Sequence, residues 1–262
     1  MKRSLGSLLY KYRSNLRDKK TIARFNTNIA TYTPIIVYQM GKVGSMSIYN
    51  SLKSQYPGIT LHRHDLTATD DWQAQTLLTH ALVNKQPLKL ISMVREPVGR
   101  NISAFFQNFE VITGIDPKDS KFSLQELNSI YFSNPKMDHT APITWYNENV
   151  KRHFGIDVYA EPFPKEEGWV ILKNDNVELL LMKAEISDEK KTSLVKEFTG
   201  VKDFRLMPSN VSEDKDYAAL YSEFKKAIQF PAGYLDTLYN SSFMQHFYTA
   251  GEIEKMRKKW SK

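Results

Sequence analysis

The stretch Pro34–Lys53, PIIVYQMGKVGSMSIYNSLK, constrains the fold more than any other: it reads as a buried strand, a glycine-containing basic turn and an amphipathic helix. Ile35, Ile36 and Val37 form a β-branched run, Gly41 and Gly44 supply a permissive backbone, and Ile48 and Leu52 recur four residues apart. The helix is expected to begin near Ser45. Backbone N–H groups at a helix N-terminus point into the preceding loop and the helix dipole favours negative charge there, while Lys42, Ser45 and Ser47 add a cation and two hydroxyls. A phosphate-like anion suits such a loop. An ordinary βα turn, with glycines serving only the chain reversal, has the same local pattern.

A second stretch repeats the theme. Leu88–Phe106, LKLISMVREPVGRNISAFF, is an apolar strand (Leu90, Ile91, Met93, Val94) broken at Pro97 and followed by a helix with Ile102, Phe105 and Phe106. Arg95 stands at the strand's C-terminal end, where ligands bind in open parallel sheets. Its guanidinium can fork onto a phosphate, and Ser103 can add a hydroxyl to the same group.

Together the two stretches resemble the sulfotransferases that use 3′-phosphoadenosine 5′-phosphosulfate (PAPS). In that family a Lys-x-Gly-[Ser/Thr]-x-[Ser/Thr] loop binds the 5′-phosphosulfate, and Lys42-Val43-Gly44-Ser45-Met46-Ser47 fits it. The family's second element is an Arg at a strand end, an acidic residue or Asn followed by Pro, and a Ser eight residues after the Arg, which hold the 3′-phosphate; Arg95-Glu96-Pro97 with Ser103 fits, and Arg100 matches an extra Arg of the carbohydrate-modifying branch. The ending SSFMQHFYTAGEIEKMRKKW is similar to that of bacterial sulfotransferase-like capsular polysaccharide synthesis proteins. The resemblance implies an α/β fold with a P-loop-like central parallel sheet flanked by helices, PAPS as donor with PAP (adenosine 3′,5′-bisphosphate) as product, and a hydroxylated carbohydrate acceptor. The family's late basic loop is matched only by Lys215, without the usual Lys-Gly pair.

Between the two loops, Ile59–Leu66 reads as a short strand ending in His62 and His64, which alternation puts on one side. Sulfonyl transfer to a hydroxyl needs a base for the acceptor's proton, and neutral imidazole, with pKa ~6.5, suits that role. Relatives acting on glycosaminoglycans often carry a catalytic His or Glu at this position. His64 is the first choice as base and His62 a supporting residue. A half-buried strand histidine bonded to backbone, with Asp65 orienting one ring, is the structural alternative. A zinc site fits less well, because cysteine is absent and no third ligand stands at a recognised spacing.

Negative charge builds on the bridging oxygen of the leaving PAP as sulfur transfers, and an ammonium there stabilises the transition state more than the ground state. Lys42 takes that role. In-line displacement is expected, with no covalent enzyme intermediate and no obligatory metal. A kinase-like phosphotransferase is the alternative enzyme reading, but Gly41-Lys42-Val43 departs from the Walker spacing and the second strand ends in Arg95 rather than Asp. A non-catalytic nucleotide- or polyanion-binding protein is a third reading.

At 262 residues and 41% hydrophobic, the chain can bury one large core, divided most simply into a basic arm over 1–30 and a single α/β domain over 31–262. The net charge of +7 lies in that arm: residues 1–24 carry Lys2, Arg3, Lys11, Arg13, Arg17, Lys19, Lys20 and Arg24 against Asp18, and the remaining chain is balanced. The arm, with Leu5, Leu8 and Leu9 interspersed, suits either a solvated extension or a peripheral contact with an anionic membrane, and no nucleic-acid motif accompanies it. No apolar run nears the ~20 residues of a membrane span and the start is a poor signal peptide, so a cytoplasmic location is expected.

The rest reads as architecture. Helices are expected over Asp71–Val83, Phe122–Phe132, Trp145–Phe154, Asp216–Gln229 and Gly233–Phe247, and strands over Ile156–Tyr159, Trp169–Leu172 and Val177–Lys183. Thr249 is placed to cap a last helix.

Overall fold

Unbroken apolar runs need both faces of a sheet covered, and the three strongest runs of this chain occupy its middle. The structure, a computed structural model, describes residues 19–208 and 217–261. Its strands are β1 (Ile35–Tyr38), β2 (Thr60–Arg63), β3 (Leu88–Val94), β4 (Trp169–Asn174) and β5 (Val177–Lys183), in the spatial order β2-β1-β3-β5-β4. β1 is buried throughout, and β3 and β5 are buried except at their second residues. The outer strands β2 and β4 are mostly half-buried or exposed. β1, β2, β3 and β5 are mutually parallel, with Val37 level with His62 on one side and Ile91 on the other. β4 returns antiparallel to β5 through the turn Asp175-Asn176, where Asp175 stands at φ 49°.

Helices flank this mixed α/β sheet. α1 (Met46–Gln55) joins β1 to β2, burying Ile48 and Leu52. α2 (Trp72–Leu78) and a π-helical turn, Thr79–Val83, lead to β3, and α3 (Pro97–Gln107) leaves it. There follow α4 (Leu124–Ser133), α5 (Ala141–Tyr146) with a second π turn at Asn147–Lys151, then α6 (Asp188–Thr199), α7 (Ala218–Ala227), α8 (Tyr234–Tyr239), α9 (Ser242–Phe247) and α10 (Ala250–Trp260). Phe105 of α3 meets Phe106, Phe109, Tyr131 and Phe224 with ring centroids 5.2–5.8 Å apart, so an aromatic cluster fixes α3 against α4 and α7. Each such fully buried side chain contributes about 1.5–3 kcal/mol.

Several sequence expectations are corrected. Ile156–Tyr159 is a turn rather than a strand: the Asp157 carboxylate accepts the Tyr159 N–H at 3.0 Å and Lys151 Nζ at 2.7 Å, and this local bonding overrides the alternation. The helices over Asp71–Val83 and Trp145–Phe154 each contain a π turn. Gly233–Phe247 divides into α8 and α9, because Ser241 caps α9 by accepting the Met244 N–H. Thr249 caps α10 in a full capping box with Glu252. Residues 19–31 are helical, and their Phe25 and Ile29 enter the core. Among the described residues no helix is long and apolar enough to cross a membrane.

Candidate functional site

The parallel strands end on one edge of the sheet, and the order β2-β1-β3 makes the chain move from β1 to β2 on one side and then back to β3 on the other. Loops leaving β1 and β3 at such a reversal leave a crevice between them, which is where open α/β sheets bind ligands.

The loop after β1 is shaped by two left-handed residues, Lys42 at φ 73° and Gly44 at φ 86°. For Lys42 this conformation costs on the order of 1 kcal/mol, which the loop's fixed bonds must offset. Val43 is buried and pins the loop from beneath, while Lys42 is half-buried and Met46 exposed. Ser45 occupies the N-cap position of α1 without capping it, and the first turn of α1 has no acidic residue. The Ser45 hydroxyl turns instead to His62, with Oγ 2.9 Å from Nε2. Ser47 Oγ donates to the Gly44 carbonyl at 3.2 Å.

Two arginines after β3, Arg95 in the loop and Arg100 in α3, hold the first loop. Arg95 Nη1 donates to the Lys42 carbonyl at 2.5 Å, and Arg100 Nε donates to the Gly41 carbonyl at 3.0 Å. Burial pulls the Arg100 guanidinium below its usual pKa, with Asp138 and Tyr131 opposing and Arg95 adding to the shift. Ser103 lies three residues beyond Arg100, on the same face of α3 and half-buried. Glu96, between Arg95 and Pro97, serves the helix that follows. Its carboxylate accepts the Val98 and Gly99 N–H groups, both at 2.8 Å, and the Tyr239 hydroxyl at 2.6 Å. The acidic-Pro pair is thus an N-cap and a first helical residue.

His62 and His64 stand on the same side at the end of β2, with rings 4.8 Å apart and nearly perpendicular. His62 is half-buried, and burial, then His64 and Arg63, pushes its pKa down to about 4. Gln39 Nε2 lies 3.4 Å and Ser45 Oγ 2.9 Å from His62 Nε2. His64 is exposed and its Nδ1 lies 2.7 Å from the Gln39 carbonyl. A carbonyl only accepts, so the His64 proton is on Nδ1 and Nε2 presents a lone pair. A Cβ built on Gly41 would sit 3.8 Å from that Nε2, which places the lone pair against the first loop. Trp145 Nε1 donates to the His64 carbonyl at 3.3 Å, and Arg63 pairs with Asp71, the N-cap of α2.

The wall beyond Arg95 comes from the end of β5. Glu185 Oε1 accepts the Glu96 N–H at 3.0 Å and Oε2 accepts the Tyr248 hydroxyl at 3.1 Å. Glu185 is exposed as a residue, yet its carboxylate lies deep among protein atoms and burial raises its pKa, against the hydrogen bonds and the Arg95 charge. Gln39, which contacts both histidines, and Tyr248, which holds Glu185, are not marked as site residues by the sequence pattern; an amide directly after the buried run Ile35–Tyr38 is the one signal that points to Gln39.

Other titratable groups lie apart. His139 spends both nitrogens, Nε2 donating to the Tyr131 carbonyl at 2.9 Å and Nδ1 accepting the Tyr234 hydroxyl at 3.0 Å. Glu110 is exposed beyond the far end of α3, about 20 Å along the helix from Pro97. Lys215 and residues 1–18 of the basic arm lie outside the described residues.

The family model described as "Putative capsular polysaccharide synthesis protein" matches residues 119–249, half of the chain, and the chain belongs to that family. No curated protein and no solved structure matches it. The matched stretch contributes Glu185, Tyr239 and Tyr248, whereas both loops and both histidines of β2 precede it. Membership points to a part in polysaccharide biosynthesis.

Proposed function

We propose that the protein is a sulfotransferase that moves a sulfonyl group from PAPS to a hydroxyl of a carbohydrate, a precursor of capsular or surface polysaccharide. The observation that carries the reading is the convergence at one crevice of the uncapped N-terminus of α1, two arginines and a histidine with a directed lone pair. An anion is the acceptor that the α1 N-terminus lacks. Arg95 spends one of its five N–H donors on Lys42 and keeps its fork for a phosphate. In this reading residues Lys42–Ser47 hold the 5′-phosphosulfate, and Arg95 and Ser103 hold the 3′-phosphate, with Arg100 keeping the two loops in register.

The donor supplies the sulfonyl group: the acceptor oxygen bonds to sulfur while the bond to the 5′-phosphate oxygen breaks and its electron pair leaves with PAP. His64 Nε2 takes the acceptor's proton, and the Gln39 carbonyl, accepting from Nδ1–H, stabilises the imidazolium that results. Lys42 offsets the charge that grows on the leaving oxygen. His62, with its pKa near 4, keeps the Ser45 hydroxyl in place rather than taking protons. Calorimetry with PAP, with ATP and magnesium, and with heparin separates the readings. Selective PAP binding supports sulfonyl transfer, magnesium-dependent ATP binding supports a phosphotransferase, and salt-sensitive heparin binding alone supports a polyanion-binding protein.

A further inference from the structure

A groove of about 760 Å³, within the range of ligand sites, lies away from the two loops, between the helical residues 19–31 and the length of α2 with its π turn. It runs from Trp72, beside the Arg63–Asp71 pair, to Asn84 and Gln86 near the start of β3, about 18 Å along the helical segment. Its Trp72 end is therefore the one nearer the end of β2.

The lining is specific in chemistry. In a chain of which 25% is charged, none of its eleven lining residues is Asp, Glu, Lys or Arg. Amides and hydroxyls predominate instead, and Trp72, 40% exposed, presents its indole at one end while its edge-on contact with Phe25, centroids 5.0 Å apart, fixes the ring. Asn26 and Asn84 make no side-chain hydrogen bond among the described residues; Gln75 commits only its nitrogen, to the Leu66 and Ala68 carbonyls, which leaves its oxygen to accept. Burial lowers the pKa of His80, the one titratable group in the wall, so the groove is neutral at physiological pH. Its deep wall is a π turn, a feature that recurs at functional sites.

A charged ligand would leave its charge uncompensated there, and a purely apolar one would leave the amides unpaired. A neutral polyol fits both constraints: its C–H faces lie on the indole and its hydroxyls exchange hydrogen bonds with the amides. We infer that this groove binds a stretch of neutral saccharide chain, as a holding site separate from the transfer centre. The inference goes beyond sulfonyl transfer and stands whichever chemistry the two loops perform.

Affinity electrophoresis of the full chain through gels containing dextran, mannan, galactan or hydroxyethylcellulose tests it. Retardation is expected in at least one gel, unchanged between about 0.05 and 0.5 M salt, because no charge is involved. Trp72→Ala and the double variant Asn26→Ala/Asn84→Ala should each bind at least tenfold more weakly. The second variant removes only exposed amides and should melt like the parent, which separates binding from folding. Absence of retardation in every gel, retardation that both variants keep, or retardation abolished by salt would each overturn the site. Calorimetry with PAP on the same variants should match the parent. Failure of every protein to bind PAP would count against the transfer reading and leave the groove standing.

Discussion

Arg95 donates to the Lys42 carbonyl at 2.5 Å, so the residue assigned to one anion also fixes the loop assigned to the other. Arg95→Ala should weaken PAP binding by about 2–4 kcal/mol, the range for losing one partner of a desolvated charged contact. Lys42→Ala should mainly lower turnover, with a smaller loss of PAP affinity. Because Lys42 stands at φ 73°, Lys42→Gly removes the amine while relieving the backbone, and should show the same turnover loss in a better-folded protein. Calorimetry and single-turnover assays measure the two effects, and normal PAP binding by Arg95→Ala would end the two-site reading.

His64→Ala should leave PAP binding intact and reduce transfer by ~10²–10⁴-fold, as for loss of a general base. His62→Ala should be milder, acting through Ser45. Gly41→Ala gives an independent probe: Gly41 has no left-handed backbone, and its new methyl would sit at ordinary contact distance, 3.8 Å, from His64 Nε2. It should fold and bind PAP normally yet transfer poorly, by crowding the lone pair. Full activity in Gly41→Ala would place the base elsewhere.

The strands that bury both faces were legible because apolar runs such as Val177–Lys183 have few other homes, and the histidine pair was legible because β2 has a period of two. Neighbour order was not: nothing local to Leu88–Val94 says that it pairs with β1 rather than β2. The π turns left no mark, since one extra residue per turn changes no apolar spacing over five residues. The pattern marked Arg95 as a phosphate ligand and Arg100 only as an extra arginine of the resemblance, whereas the bonds they make in the structure, to the Lys42 and Gly41 carbonyls, depend on a loop conformation that only the assembled sheet edge imposes. Glu185 is a similar case, an acidic residue past a strand whose partners lie 63 and 89 residues away.

Glu96 concentrates stability at the start of α3. Glu96→Ala removes a helix cap and strands the Tyr239 hydroxyl, and should cost about 2–4 kcal/mol. Glu96→Gln should cost less. A double-mutant cycle with Tyr239→Phe, read by denaturant unfolding, should give a coupling of about 1 kcal/mol or more, and strict additivity would show that the two residues are independent.

Stability should fall on mild acidification. His62, His80, His139, His153 and His246 all have folded-state pKa values below the ordinary imidazole, with burial the leading cause in each. The unfolded chain then binds more protons below about pH 6.5, so their contribution is complete above that pH and is lost as it drops. The lowered carboxyls of Asp71 and Asp157 lose theirs only further down, through and below about pH 4. Glu185, raised by burial, acts in the opposite sense, favouring the folded state as it protonates. Melting temperatures across about pH 7.5 to 5 should decline steadily, and a flat profile would contradict the histidine assignment.

Three contacts tie the end of the chain to the residues at and just beyond the ends of β3 and β5: Tyr239 to Glu96, Tyr248 to Glu185, and Glu252 to Lys183, whose Nζ is 2.7 Å from the carboxylate. During synthesis, both glycine and arginine loops leave the ribosome long before these partners exist. In the sulfotransferase reading, the nascent chain carries the proposed anion-binding residues before the wall beside them exists, and the crevice is complete only once α10 has emerged. That reading then requires the segment from Tyr239 to Glu252, and ribosome-bound chains halted before Tyr239 should be unable to retain PAP.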